Sequence, residues 1–294
     1  SEYRTRQPEL AVRELVASVS GTLGLVVLLV SVAGAIAAPL LVLAFAPGFL
    51  DQPEKFSLAS EMLRITFPYL FFVSLTALAG GVLNTYDRFG VPAVTPAFLN
   101  LAMIGAALWL APRMDEPVVA LAWGVFAGGL AQLLFQLPFL WRRGFLVRPR
   151  LGFRHEGVRR VMRLMLPAIF GVSVAQVSLL LDTLLASFLE TGSVSWLYYS
   201  DRLLEFPLGI FGIALGTVIL PSLSRRFAEG AHESFSATVD WALRSVLLLG
   251  LPATIGLALL AGPLLATLFQ HGEFRSADVY MAQLSLVAFS AGLV

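Results

Sequence analysis

Eight apolar runs of bilayer length divide this 294-residue chain and leave it few ways to fold. They fall at about 16–46, 65–83, 92–111, 118–140, 164–189, 202–223, 242–269 and 279–294, the last about a turn short of a full span. A helix needs about 20 mostly apolar residues to cross the hydrocarbon core. Inside that core every backbone polar group must find its partner within the protein. The runs therefore predict an all-α, polytopic membrane helix bundle. Composition agrees, with 57% hydrophobic and 13% charged residues and a mean hydropathy of +0.82, whereas a soluble domain carries about a quarter charged residues. The absence of cysteine excludes disulfides, thiolate metal sites and cysteine nucleophiles. A net charge of +1, its basic residues spread over loops, gives no sign of a nucleic-acid partner.

The basic residues set the expected orientation. Alternate loops place Arg4, Arg6, Arg13, Arg88, the eight arginines between Arg142 and Arg163, Arg225, Arg226 and Arg244 on one side, and Lys55, Arg64, Arg113 and Arg275 on the other. That is 15 against 4, so the first side is expected to be cytoplasmic. The eight-Arg linker is read as a topology signal and a solvated amphipathic helix, with contact to anionic lipid or substrate as the alternative.

A short internal match suggests a two-lobed plan. Ala38-Pro39-Leu40-Leu41, with Phe45 four residues on, closes the first run. Gly262-Pro263-Leu264-Leu265, with Phe269 four residues on, closes the seventh. Spans six apart run in the same direction, so this is the pattern of a parallel pseudo-repeat of six-helix lobes. The expected division is 1–141 within a first lobe, 142–163 as a basic cytoplasmic linker and 164–294 within a second lobe. The opening serine, the lack of a signal-peptide apolar region and a last run still apolar at Val294 read as truncation at both ends.

The sixth run carries an unusual set of polar residues. Tyr198, Asp201, Arg202 and Glu205 stand at i, i+3, i+4 and i+7, one continuous face of a helix. A charge left against lipid at mid-bilayer costs at least about 2.5–3.5 kcal/mol, so this face is expected to line a polar cavity. Gly209, Gly212 and Gly216 continue nearly the same face, and Pro207 marks a bend point. Two readings of the charges stand side by side. In one, Arg202 satisfies itself with Asp201 and Glu205 as a structural ion pair. In the other, Arg202 is a fixed cation for an anionic substrate, its fork matching phosphate, with the two acids orienting it. Asp182, in the fifth run, is a further intramembrane acid, either an ion-coupling site for H+ or Na+ or an interhelical hydrogen-bonding group. Asp240 and Arg244 read as an interfacial i,i+4 pair, and Trp196 as an aromatic-belt residue. His155, His232 and His271 are scattered over loops and suggest no metal site; no phosphate-binding loop, dinucleotide fingerprint or nucleophile elbow is present. A chain of this kind is expected to be no enzyme, to need no cofactor and to draw on an ion gradient, the membrane potential or a downhill substrate gradient.

The segment from Gly192 to Pro207, reading GSVSWLYYSDRLLEFP, resembles the corresponding segment of the MurJ (MviN) lipid II flippases. So do Gly212–Thr217 (GIALGT), Leu220-Pro221-Ser222-Leu223-Ser224, Ile65–Tyr69 (ITFPY), Leu83–Phe89 (LNTYDRF) with Pro92, Pro96 and Asn100, and Leu268–Phe274 (LFQHGEF). These motifs are specific and run in order along nearly the whole chain. The resemblance implies a fourteen-span, two-lobed exporter of the multidrug/oligosaccharidyl-lipid/polysaccharide group, of which this chain covers spans three to about ten. It implies transfer of the undecaprenyl-diphosphate-linked peptidoglycan precursor across the bacterial inner membrane, with membrane lipids and cell-wall synthesis machinery as partners. It also implies a cationic cavity in which Arg202, with Asp201 and Glu205, matches an important eighth-span motif; no role is carried onto Asp182. Other readings are an exporter of drugs or other polyprenyl-linked glycans on the same fold, or a membrane-embedded glycosyltransferase.

Overall fold

The computed structural model describes residues 9–212, 219, 222–223 and 232–293. Gly216, the arginines at 4, 6, 225 and 226, and most of the second half of the sixth run lie outside the described residues. Ten α-helices are described: α1 (Glu9–Ile36), α2 (Ala38–Phe45), α3 (Pro53–Thr66), α4 (Tyr69–Thr85), α5 (Gly90–Gly105), α6 (Val119–Arg142), α7 (Glu156–Ser187), α8 (Ser193–Pro207), α9 (His232–Phe269) and α10 (Ser276–Ser290). No strand occurs among the described residues. Six described helical stretches are long and apolar enough to cross a membrane, at Leu10–Ile36, Pro53–Thr85, Gly90–Arg113, Val119–Arg142, Glu156–Ser187 and Ser234–Phe269.

Prolines decide where the long helices break. Pro39 cannot donate to the carbonyl one turn earlier, and the first run divides at Ala37 into α1 and α2. Pro68 does the same between α3 and α4. Hydropathy leaves 53–64 between spans, yet α3 is a regular helix there. Its residues are too polar to register as a span, but Pro53 at the first turn, Glu54 beside it and Arg64 in the last turn suit the ends of a helix dipole. The repeated motif closes a helix in both places, although Pro39 starts a new helix and Pro263 lies inside an unbroken one.

The chain forms two compact units, Ser1–Phe188 and Leu189–Val294. The division falls one helix beyond the basic linker that the sequence marks as a lobe boundary. In the first unit α6 lies among α3, α4 and α5. Gly124 and Gly128, one turn apart, form its contact face toward α5. A Cβ added at Gly128 would sit 3.0 Å from the Cα of Leu99, and one at Gly124 would sit 3.1 Å from that of Met103. Without a hydrophobic drive between helices in lipid, such close backbone approach supplies the attraction. Further along α6, buried Gln136 donates from Nε2 to Thr95 Oγ1 at 2.9 Å, and Thr95 donates in turn to the Val91 carbonyl.

The basic linker differs from its expected helix. Gly144, at φ +70°, ends α6 with a Schellman pattern: Phe145 N–H reaches Leu140 O and Gly144 N–H reaches Trp141 O, both at 2.9 Å. Residues 145–152 then run without regular structure along α1, where Arg150 N–H donates to Ala17 O at 2.9 Å and Gly152 N–H to Thr22 Oγ1 at 3.0 Å. Gly21 permits this approach, since a Cβ there would lie 2.3 Å from the Arg150 carbonyl oxygen. Helix resumes at Glu156, after His155 Nδ1 accepts from Gly157 N–H.

In the second unit α10 packs against both α8 and α9. Its core joins Trp196 of α8, Ala261 and Leu265 of α9, and Val279, Ala282 and Leu286 of α10. The α5–α6 contact gives a first prediction. Gly128→Val in the full-length protein should lower stability by about 1–3 kcal/mol through overpacking, read as a reduced midpoint of thermal unfolding in detergent, whereas Gly81→Val, in open space, should change it far less.

Candidate substrate-contacting site

The polar residues of the sixth run come together as its spacing predicts. Gly192, at φ +114°, turns the chain into α8, and a Cβ there would press to 2.7 Å against the Trp196 ring. From that start α8 has two faces. Ser193, Trp196, Ser200 and Pro207 are buried. Tyr198, Arg202 and Glu205 lie about half a turn around the axis, at 100° per residue, and are exposed.

On the exposed face Arg202 Nη1 is 2.9 Å from Glu205 Oε2, and its Nη2 is 3.9 Å from Asp201 Oδ2. Its guanidinium carbon stands 5.1 Å from the centroid of the Tyr198 ring, a cation–π contact. The Arg202 side chain remains 49% exposed. A guanidinium carries five N–H donors in a planar fork, so two carboxylate contacts leave donors free to meet a phosphate oxygen. α8 ends as an α-helix at Pro207 and continues as a π-helical turn over Leu208–Gly212. π turns inside helices mark local strain and often function. Among the described residues nothing lies within 4 Å of a Cβ added at Gly209.

Asp182 belongs to the other unit and is described by itself. It lies on α7 in the first unit, exposed, and makes no hydrogen bond or ion pair among the described residues. Of the polar residues near it, Thr183 donates to Leu179 O, and Ser187 donates to Leu184 O while accepting from Gly48 N–H. Asp240 and Arg244 form the expected pair at 2.9 Å.

Trp196 departs from its expected place in an aromatic belt. It is 8% exposed, and its Nε1 donates to Asp278 Oδ1 on α10 at 2.8 Å. One turn deeper Ser200 Oγ lies 2.8 Å from both Trp196 O and Ala282 O, a hydroxyl shared between its own helix and α10. Tyr199 closes the outer end against the rings of Phe269 and Phe274, at centroid distances of 4.6 and 5.0 Å. Asp278 was missed by sequence reasoning because its partner lies 82 residues away; the visible signal was its place three residues into a helix, where an acid caps. Its Oδ2 accepts from Arg275 N–H at 2.8 Å. That bond, with the indole bond and the nearby Arg275 charge, holds the Asp278 carboxyl below its ordinary 3.8. A lowered acid stabilises the fold at pH above its unfolded value and loses that contribution as pH falls through the folded one. Tryptophan fluorescence reporting the Trp196 contact should therefore hold steady from about pH 7 to pH 5 and change only below the ordinary value of 3.8. Asp278→Asn should remove that acid-side change.

Six apolar helical stretches of bilayer length and an all-helical fold among the described residues define a polytopic membrane protein. Comparison narrows the class. The sequence profile described as "Lipid II flippase MurJ" matches residues 1–294. The chain is 51% identical to the "Probable lipid II flippase MurJ" of Haemophilus influenzae and 44% identical to the "Lipid II flippase MurJ" of Burkholderia cenocepacia. Each alignment takes in 100% of this chain, and 60% and 58% of those proteins respectively. A solved structure, "Lipid II flippase MurJ, inward closed conformation", superposes with a TM-score of 0.79 over 99% of this chain and 60% of its own length, at 24% sequence identity, which supports the fold. The chain belongs to the MurJ lipid II flippase family. It spans about 60% of the length of these relatives.

Proposed function

We propose that this chain belongs to a flippase that moves lipid II, the undecaprenyl-diphosphate-linked peptidoglycan precursor, from the cytoplasmic to the periplasmic leaflet of the bacterial inner membrane. The observation that carries the reading is the half-exposed guanidinium of Arg202, on the face of α8 opposite the one buried in the unit's core, within an apolar run of the sequence. A charge held there against a cost of a few kcal/mol points to use, since intramembrane ionisable residues are functional by default. Diphosphate is the ligand class that a planar, permanently charged fork binds best. Transport proceeds by alternating access without bond-making chemistry. Tyr198 stacks on Arg202, and Asp201 and Glu205 orient it. Asp182 is the candidate ion-coupling acid, supported by its exposed carboxylate and its lack of a partner among the described residues. Membrane lipids and the cell-wall synthesis machinery are the proposed surroundings.

In the full-length protein, Arg202→Ala should abolish rescue of a flippase-depleted bacterium while leaving the membrane level within about twofold, the range for a substitution outside the core. Arg202→Lys, which keeps charge and loses the fork, should give only incomplete rescue. Full rescue by Arg202→Ala would remove this residue from the mechanism. Asp182→Asn should leave lipid II binding intact and reduce periplasmic lipid II exposure; unchanged exposure would end the coupling assignment.

A further inference from the structure

We infer that Trp196 and Asp278 are positioning residues for Arg202: their hydrogen bond, with the Ser200 contact one turn deeper, sets the rotation of α8 about its axis and so aims the Arg202 guanidinium. The inference rests on the assignment of Arg202 to head-group binding.

The contacts that hold α8 lie on one side of it. Trp196 Nε1 reaches Asp278 Oδ1, and Ser200 Oγ reaches Ala282 O, both at 2.8 Å and both on α10. Arg202 lies on the other side of the same helix, so any roll that breaks the α10 contacts swings the guanidinium through the same angle. The apolar portion of the interface does not resist such a roll strongly, because apolar contact is non-directional and lipid tails compete with it on equal terms. Hydrogen bonds, which weaken steeply off-axis, do resist it. Asp278 is itself held: one carboxylate oxygen accepts from Trp196 and the other from Arg275 N–H. The indole is buried against α10, so losing its partner would leave a poorly hydrated N–H unsatisfied. At the other end α8 passes at Pro207 into the π turn Leu208–Gly212. The change from α to π hydrogen bonding at that end leaves the Trp196–Asp278 and Ser200–Ala282 contacts as the side-chain hydrogen bonds that fix the roll of α8 against α10.

The test is a double-mutant cycle on the purified full-length protein in lipid nanodiscs, with lipid II affinity as the readout and thermal unfolding recorded alongside. Trp196→Phe keeps an aromatic ring and removes the N–H; Asp278→Ala removes the acceptor. Each should weaken lipid II binding by about fivefold, and in an Arg202→Ala background the same changes should cost less than about twofold, because a residue acting through Arg202 has nothing left to aim. If Trp196→Phe does not yield folded protein, Ser200→Ala takes its place in the same cycle. Equal losses in both backgrounds would overturn the inference, since a purely structural role weakens binding whether or not Arg202 is present. Weaker binding on Arg202→Ala with no effect of the clasp variants in the intact background would overturn the positioning role alone. No loss on Arg202→Ala itself would overturn the head-group assignment and the positioning role together.

Discussion

In a bilayer the backbone and every polar side chain must be satisfied without water, and this constraint shapes what is seen along the chain. Hydroxyls in the helices turn back onto their own carbonyls, as Ser60 does to Phe56, Thr95 to Val91 and Thr183 to Leu179. Where a polar group leaves its own helix it crosses to a named partner, Gln136 to Thr95 in the first unit and Trp196 to Asp278 in the second. Pro39 and Pro207 interrupt the ladder where a new helix begins or where a turn is needed. The buried hydroxyls of Ser31, Thr76 and Thr254 are exceptions, with no partner among the described residues, and on the polar face of α8 the charges are paired yet remain open on one side.

Features written in short-range periodicity were legible from the sequence. Six of the eight apolar runs coincide with helical stretches long and apolar enough to cross, whereas 202–223 lies partly outside the described residues and 279–294 falls in a shorter helix; Tyr198, Asp201, Arg202 and Glu205 share a helix because 3.6-residue spacing brings them into line. What was hidden depends on partners far along the chain or on backbone geometry. Trp196 looks like any interfacial tryptophan until α10 brings Asp278 to it from 82 residues away. The linker's arginines suggest a surface helix, but Gly144 in the left-handed region and Pro149 stop one forming, and Gly21 lets the backbone lie close along α1. The polar helix α3 carries its signal in end charges more than in hydropathy, so the apolar run read from the sequence begins only at 65, although the helical stretch runs from Pro53 to Thr85.

Charge balance on α8 bears on how the proposed transport step works. Arg202 carries one positive charge, while Asp201 and Glu205 carry two negative ones when ionised, so the cluster taken alone does not attract a diphosphate. In a poorly hydrated site that mismatch is expensive, because like charges a few ångströms apart repel several-fold more strongly than in water. On the proposed function, a head group at Arg202 calls for further positive charge beside it, from other side chains, from a proton or from a metal cation. That requirement ties substrate binding to the movement of charge. Under the proposed function linkage makes the relation reciprocal: a cation that favours the head group at Arg202 is itself favoured by it. The acids beside Arg202 then do more than satisfy a guanidinium. On the proposed function they would make binding of the anionic lipid conditional on a second, oppositely charged ligand, which is the condition that coupled transport requires.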